Sequence, residues 1–208
     1  MVKAWIADAA PLYERECYER YYRQLPDFRK SKADKLRLIE RKAQSVGVWI
    51  LWQKIRERYS LSGETVFNLS HSGSLVMCAA NMGGARVKVG CDVEKIGPMH
   101  LNIAEKYFCR EEYRTMTDEP SEEKRAELFY RYWVLKESFM KATRKGMALP
   151  ASRFCIQLGS PPVLIRQPDE FPEKYYYCEY EMNDMPYKMA VCTTDEEIDM
   201  ELHTELIL

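Results

Sequence analysis

The chain has 208 residues, of which 46% are hydrophobic and 12% aromatic, so it can bury the core of one large domain or two fused small ones. Its 31 basic and 32 acidic side chains leave a net charge of −1, which argues against a general nucleic-acid-binding protein. No apolar run approaches the ~20 residues of a membrane span, and no signal peptide is recognisable. Seven scattered cysteines without a Cys-x-x-Cys pair predict reduced, buried thiols in a cytoplasmic protein and argue against a zinc site or a disulfide framework. Only three histidines are present, which argues against a multi-histidine metal centre.

The first third of the chain is predicted to be mostly helical. Alternation over residues 2–7 indicates a strand, and residues 12–24 are typical of a charged helix. Residues 31–59 predict one or two helices that are basic at the start and apolar in the second half. The basic part is either a solvated face or a site for an anionic ligand, since Lys and Arg one turn apart present converging charges.

Residues 65–80 predict two short strands joined by the polar turn Ser70-His71-Ser72-Gly73. Hydroxyls, an imidazole and a flexible backbone at one corner can hold a phosphate group through several N–H and O–H donors. Ordinary turns have the same composition, so this cluster alone does not separate the two interpretations.

Strict alternation over residues 85–94 predicts a strand with Asp92 and Glu94 on the same face. Their Cα atoms are then about 7 Å apart. An unneutralised carboxylate pair at 4 Å near a protein surface costs about 4 kcal/mol at an effective dielectric constant of 20. A cluster of carboxylate oxygens suits Mg²⁺; the alternative is an exposed acidic strand end.

The second half repeats the order of helices followed by strands. Helices are predicted over 101–108 and from 109 onwards, a polar break over 118–124, a long helix over 128–141, strands around 153–158 and 162–166, and a hairpin of 175–182 and 187–192 whose turn includes Asn183 and Asp184. The pattern predicts an α+β fold with antiparallel sheets in two similar halves, residues 1–97 and 98–208.

The long helix carries two informative interruptions of its apolar arc. Lys136 falls in the middle of the arc, where a lysine either extends its charge towards solvent or has a fixed acidic partner. Glu137 lies at the edge of the arc, with Lys141 one turn further on. These two side chains could form a plain i,i+4 ion pair, worth a few tenths of a kcal/mol.

Three segments together carry a family resemblance. Phe67–Gly73, Val89–Glu94 and Phe129–Lys141 resemble, in order and interval, the signature blocks of the 4′-phosphopantetheinyl transferases. Length and the terminal hairpin resemble the monomeric surfactin-synthetase-activating type rather than the short trimeric holo-acyl-carrier-protein-synthase type. The resemblance implies two similar α+β halves with coenzyme A in the cleft between them. It also implies transfer of the phosphopantetheine arm of coenzyme A to a serine of an apo acyl or peptidyl carrier protein, with release of 3′,5′-ADP.

The resemblance also implies roles for individual residues. Asp92, Glu94 and Glu137 would ligate Mg²⁺. The residues implied to bind coenzyme A are Ser70 and His71 on phosphate groups, Lys141 on the diphosphate, and, with a less close correspondence, Lys32, Arg29 and Ser45 on the 3′-phosphate.

The chemistry of the transfer is consistent with these roles. Attack by a serine on a diphosphate requires charge neutralisation, alignment and removal of a proton. Lys141 offers a mobile cation for the leaving phosphate, and Glu137 is the expected proton acceptor, either directly or through a metal-bound water. His71 is the rival base, but it lies in a hydroxyl-rich segment without a carboxylate to orient it.

The chain departs from the family pattern in one place, and this leaves an alternative open. The Gly-Lys-Pro loop usual before the Ser-His-Ser block is absent, which puts contacts to adenine in doubt. The alternative function is a carrier-protein-binding module that keeps the fold without turnover. A kinase or nucleotidyl transferase would predict a Walker-type loop, but Gly83-Gly84 lacks the Gly-Lys-Ser/Thr ending.

Overall fold

The computed structural model describes residues 1–84, 86–182 and 185–208. Two hairpin-turn residues of the sequence analysis, Asn183 and Asp184, lie outside the described residues. The helices and strands are β1 Val2–Asp8, α1 Arg15–Tyr22, α2 Asp27–Asp34, α3 Ile39–Arg58, β2 Phe67–Ser72, β3 Leu75–Asn81, β4 Val89–Lys95, α4 Leu101–Tyr107, α5 Arg110–Thr117, α6 Glu122–Ala142, β5 Cys155–Gln157, β6 Val163–Arg166, β7 Tyr176–Tyr180, β8 Tyr187–Thr193 and β9 Ile198–His203.

The strands form two main sheets, which confirms the α+β class. One has the order β2-β3-β1-β9, the other β4-β8-β7, and β5 and β6 form a separate pair. Among the described strands, every pairing is antiparallel except that of β1 with β9, which is parallel. Strand β9 was missed in the sequence, although Ile198, Met200 and Leu202 alternate there with polar residues. This edge strand leaves Met200 exposed, so its apolar face is weakly defined.

Helices and sheets stack in layers because alternate strand residues face opposite ways. In β1, Trp5 packs towards the core formed with α3, whereas Ile6 packs between the two sheets. The outer face of the second sheet is covered by α6, whose Phe139 and Leu135 join Tyr177 and Cys192 in a further core. Strands from both sides of residue 97 enter each sheet, since β4 pairs with β8 and β9 with β1. The division at residue 97 stays a prediction.

Close contact between β4 and α6 depends on Gly90. A Cβ atom at this position would overlap the backbone carbonyl of Ser138 and the backbone nitrogen of Ala142. Glycine therefore lets the helix lie directly on the strand that carries Asp92 and Glu94. The same helix presents Glu137 and Lys141.

The buried position of Lys136 is explained by a fixed acidic partner. Its side chain is 2% exposed and its Nζ lies 2.9 Å from the carboxylate of Glu112, itself 1% exposed. The ammonium also donates to the carbonyls of Ala151 and Phe154 at 2.7 and 2.8 Å. Burial lowers the pKa of Lys136 to about 8, even though Glu112 favours its charged form. Burial raises the pKa of Glu112.

The sequence predictions need correction at the polar break over 118–124, where α6 already begins at Glu122, and at three further places. The basic helix begins at Asp27 rather than 31, because Pro26 takes the N-cap position. Ser70, His71 and Ser72 lie within β2, and the turn is made by the next residue, Gly73, whose φ of +56° favours glycine.

The last correction concerns the thiols. Cys109 and Cys155 form a disulfide, so the prediction that all cysteines are reduced is wrong for this pair. Periodicity could not reveal it, since 46 residues separate the two positions. The other five cysteines are free, and four of them are buried. Among the described helices, none is both long and apolar enough to cross a bilayer.

Candidate active site

The junction of β2 and β4 is made by side chains instead of a backbone ladder. Residues at alternate positions of β2 face β4 and accept hydrogen bonds from its backbone N–H groups. The three bonds run from Cys91 N to Asn68 Oδ1 (3.0 Å), from Val93 N to Ser70 Oγ (3.4 Å) and from Lys95 N to Ser72 Oγ (3.1 Å). This β2–β4 junction joins the edges of the two main sheets and brings the first two signature segments side by side.

Lys141 connects the third segment to the junction. Its Nζ donates to Asp92 Oδ1 at 2.7 Å, to Ser70 Oγ at 2.9 Å and to the carbonyl of Cys91 at 3.1 Å. Ser70 Oγ in turn donates to Asp92 Oδ1 at 2.7 Å. Burial opposes the charge of Lys141, but Asp92, Cys91 and Glu137 together outweigh it, so the pKa of the ammonium is raised. The i,i+4 ion pair of Lys141 with Glu137, which was the alternative interpretation of these two residues, is not among the ion pairs found in the described residues; Lys141 pairs with Asp92.

The three predicted metal-binding acids share one region of negative charge. Ser72 Oγ donates to Glu94 at 2.6 Å. Burial, followed by repulsion from Asp92, raises the pKa of Glu94 to about 7, and Glu137 adds to the effect. Burial and then Asp92 also raise the pKa of Glu137. The second oxygen of Asp92, Oδ2, is buried and has no hydrogen-bond partner in the described structure.

The carboxylate oxygens of the three acids are not all close to one another. The ligand atoms of Asp92, Glu94 and Glu137 do not all lie within 4.8 Å of one another. Among the residues that the structure describes, such a group occurs only at Cys109, Glu111 and Cys155. The charge of Asp92 is instead compensated by the ammonium of Lys141.

His71 is a neutral imidazole among cations. Burial lowers its pKa to about 4, and Lys141, Arg41 and Lys32 add to the shift by repelling the protonated ring. Its Nδ1 is buried without a hydrogen-bond partner in the described structure. Three cations around a polar, unprotonated ring form a region that favours an anion.

The predicted basic residues on α2 lie against α3. Arg29 is 8% exposed, donates from Nη2 to the carbonyl of Ser45 at 2.7 Å and lies over the ring of Trp49 at 5.0 Å. Burial lowers the pKa of Arg29, and burial together with Arg29 lowers that of Lys32. The buried Oγ of Ser45 has no partner in the described structure.

Arg41 belongs to the same cationic region but was not predicted. Its Nη1 donates to Gln44 Oε1 at 3.4 Å, and Gln44 Nε2 donates to the carbonyl of Gly73 at 2.7 Å. This contact ties the start of α3 to the turn that follows His71. None of the ion pairs in the described parts of the chain involves Arg29, Lys32 or Arg41. In the sequence, Arg41 could be recognised only as a basic residue one turn before Gln44, and its neighbour Lys42 has the same charge.

The chain is similar to known proteins of one family. A model of the 4′-phosphopantetheinyl transferase superfamily matches residues 88–192. The chain is 37% identical over 146 residues to the 4′-phosphopantetheinyl transferase Sfp of Bacillus subtilis, covering 68% of this chain and 62% of that protein. It is 30% identical over 137 residues to the mouse L-aminoadipate-semialdehyde dehydrogenase-phosphopantetheinyl transferase, covering 56% of this chain and 43% of that protein.

A solved structure is also similar, at a lower level. The holo-[acyl-carrier-protein] synthase of Thermotoga maritima matches with 21% identity and a TM-score of 0.43, covering 51% of this chain and 61% of that one. The chain spans less than two thirds of the length of the curated relatives it matches. The superfamily match covers half of the chain, and the predicted resemblance to the surfactin-synthetase-activating type is confirmed. The chain belongs to the 4′-phosphopantetheinyl transferase superfamily.

Proposed function

We propose that the chain transfers the 4′-phosphopantetheine arm of coenzyme A to a serine hydroxyl of an apo acyl or peptidyl carrier protein, giving holo carrier protein and 3′,5′-ADP. Family membership supports the reaction class. The single observation that carries the proposal is the convergence of Ser70, Asp92 and Lys141 from three distant segments, with their hydrogen bonds closed on one another.

Coenzyme A carries two phosphate centres, a 3′-phosphate and a diphosphate, and the site offers a group of cations and the ammonium of Lys141. Lys32 and Arg41, near His71, and Arg29, near Lys32, are proposed to hold the 3′-phosphate region, with Ser45 as a further contact. Lys141, with Ser70, is proposed to hold the diphosphate. In this proposal the ligand lies between the halves 1–97 and 98–208, since the β2–β4 junction and α6 meet there.

The chemistry of these donors suits a hard divalent cation such as Mg²⁺, although the ligand atoms of the three acids do not all lie within 4.8 Å of one another. Asp92 has a buried oxygen without a partner, and Glu94 and Glu137 are carboxylates whose pKa values are raised by burial and by Asp92. Oxygen donors of this kind are the ligands that Mg²⁺ prefers. We therefore propose that Asp92, Glu94 and Glu137 hold Mg²⁺, which when bound neutralises charge on the diphosphate.

Protein side chains are proposed to handle the proton and the leaving group. The serine oxygen attacks the phosphorus that bears the pantetheine arm, and the bond from this phosphorus to the bridging oxygen of 3′,5′-ADP breaks. Glu137, whose pKa is raised, accepts the serine proton, and Lys141 stabilises the negative charge on the departing phosphate. His71, with a pKa of about 4, is a weak base at neutral pH, so it is assigned to phosphate binding.

One observation favours a second candidate function, a carrier-binding module without turnover. Helix α3 ends at Arg58 and β2 begins at Phe67, so only a short connection stands where the family has its Gly-Lys-Pro loop. The two functions are separated by incubating the chain with coenzyme A, Mg²⁺ and an apo carrier protein. A gain of one phosphopantetheine group in the mass of the carrier supports transfer, and a stable complex with unchanged carrier mass supports the module. Monomeric state and cytoplasmic location stay predictions.

A further inference from the structure

The disulfide between Cys109 and Cys155 ties the start of helix α5 to the start of strand β5. Cys109 is the N-cap of α5 and Cys155 is the first residue of β5, with Cα atoms 5.8 Å apart. Family membership assigns no role to this pair. It is the one place in the chain where two of the seven cysteines are bonded.

The buried carboxylate of Glu112 forms a second link between the start of α5 and the start of β5. It accepts hydrogen bonds from the backbone N–H of Cys109 at 2.9 Å and of Ile156 at 2.8 Å, and pairs with Lys136 at 2.9 Å. Lys136 directly precedes Glu137 on α6. Separation of α5 from β5 is therefore expected to disturb the ion pair between Glu112 and Lys136, and Lys136 lies on the helix that carries Glu137.

We propose that Cys109–Cys155 is a thiol–disulfide exchange site whose oxidised form fixes α5 and β5 around the Glu112–Lys136 ion pair. Its reaction partner is a dithiol. One thiolate of the dithiol attacks a sulfur of the pair, and a mixed disulfide forms as the other cysteine leaves as a thiolate and takes up a proton. The second thiol of the partner then displaces the remaining cysteine, so two electrons pass to the protein and the partner becomes a disulfide.

Access to the bond requires a local opening. Cys109 and Cys155 are 3% and 1% exposed, whereas the neighbouring Arg110 and Glu111 are exposed. In this proposal opening of the first turn of α5, a helix of eight residues, uncovers the sulfurs and separates Glu112 from Lys136. In this proposal the bond is opened by the dithiol and closed again by the reverse exchange, so it is not a permanent crosslink.

The test compares oxidised and dithiothreitol-reduced full-length protein by mass spectrometry after alkylation, by thermal unfolding and by amide hydrogen exchange. In the oxidised sample Cys109 and Cys155 are expected to resist alkylation and to appear as one crosslinked peptide pair. Reduction is expected to expose both to alkylation, to lower Tm by about 5–15 °C for a loop of this length, and to speed exchange at the amides of Cys109 and Ile156.

Variants separate this pair from the other cysteines. The double variant Cys109→Ser/Cys155→Ser is expected to have the Tm of the reduced protein, and dithiothreitol is expected to leave this Tm unchanged. In Cys17→Ser, dithiothreitol is expected to lower Tm as much as in the wild type. Alkylation of both cysteines in the oxidised wild type, or equal Tm and equal amide exchange in the two redox states, would overturn the proposal. None of these readouts involves transfer activity, so the outcome is independent of the proposed function.

Discussion

Replacing Lys141 by methionine tests whether its ammonium is the charge that balances buried Asp92. The substitution keeps the length and apolar stem of the side chain but leaves the carboxylate, 4% exposed, with Ser70 as its remaining side-chain donor. Removing one partner of a fully buried ion pair costs about 3–5 kcal/mol. Because the Lys141 side chain is 25% exposed, we expect a smaller loss of unfolding free energy, about 2–3 kcal/mol.

In a chain of this size, such a loss lowers Tm by about 4–12 °C. Lys145→Met is the matched control, since Lys145 is an exposed lysine just beyond the end of the same helix. Chemical denaturation and thermal unfolding, each with EDTA and with Mg²⁺, give the measurement. Mg²⁺ is expected to stabilise Lys141→Met more than the wild type, because a cation among the acids compensates the missing ammonium. Equal stability of Lys141→Met and Lys145→Met would refute the reasoning.

Three further predictions concern the proton acceptor, the imidazole and the contact between strand and helix. Glu137→Gln is expected to lower the transfer rate by at least 10²–10⁴-fold in the carrier mass assay, while the exposed Glu127→Gln leaves it unchanged. NMR titration is expected to show His71 neutral down to about pH 4. Because the pKa of His71 is lower in the folded state than in the unfolded state, the unfolded state binds the proton first as the pH falls. The stability contributed by His71 is therefore lost between about pH 6.5 and pH 4. Gly90→Ala is expected to destabilise by about 1–3 kcal/mol or more through overlap with the backbone of α6, whereas Gly84→Ala, which meets no atom within 4 Å, stays near wild type in urea unfolding. A protonated His71 at pH 6, or equal midpoints for the two glycine variants, would contradict these expectations.

Features set by local periodicity could be predicted from the sequence. Alternation placed Asp92 and Glu94 on one face of β4, and the apolar arc placed Glu137 and Lys141 on the helix that covers this strand. Each of these features depends only on neighbouring residues. The geometry of a strand or a helix then fixes where their side chains point.

Features set by long-range contacts could not be predicted in this way. The sequence left two alternatives for Lys136, and only the folded chain shows Glu112, 24 positions earlier, as its partner. The disulfide and the parallel pairing of β9 with β1 likewise join distant segments. Arg41 became distinguishable from other basic residues only through its place near His71.

The β2–β4 junction explains why the candidate site lies where the two main sheets meet. Edges of sheets leave backbone N–H groups without strand partners, and here β2 satisfies those of β4 with side-chain oxygens. The hydroxyl of Ser70 accepts hydrogen bonds from Val93 N and from Lys141 and donates one to Asp92. This one hydroxyl therefore joins the two sheets and also contacts both charged groups of the Lys141–Asp92 ion pair. A loss of function in Ser70→Ala is therefore informative about ligand binding only when the stability of the variant is measured alongside it.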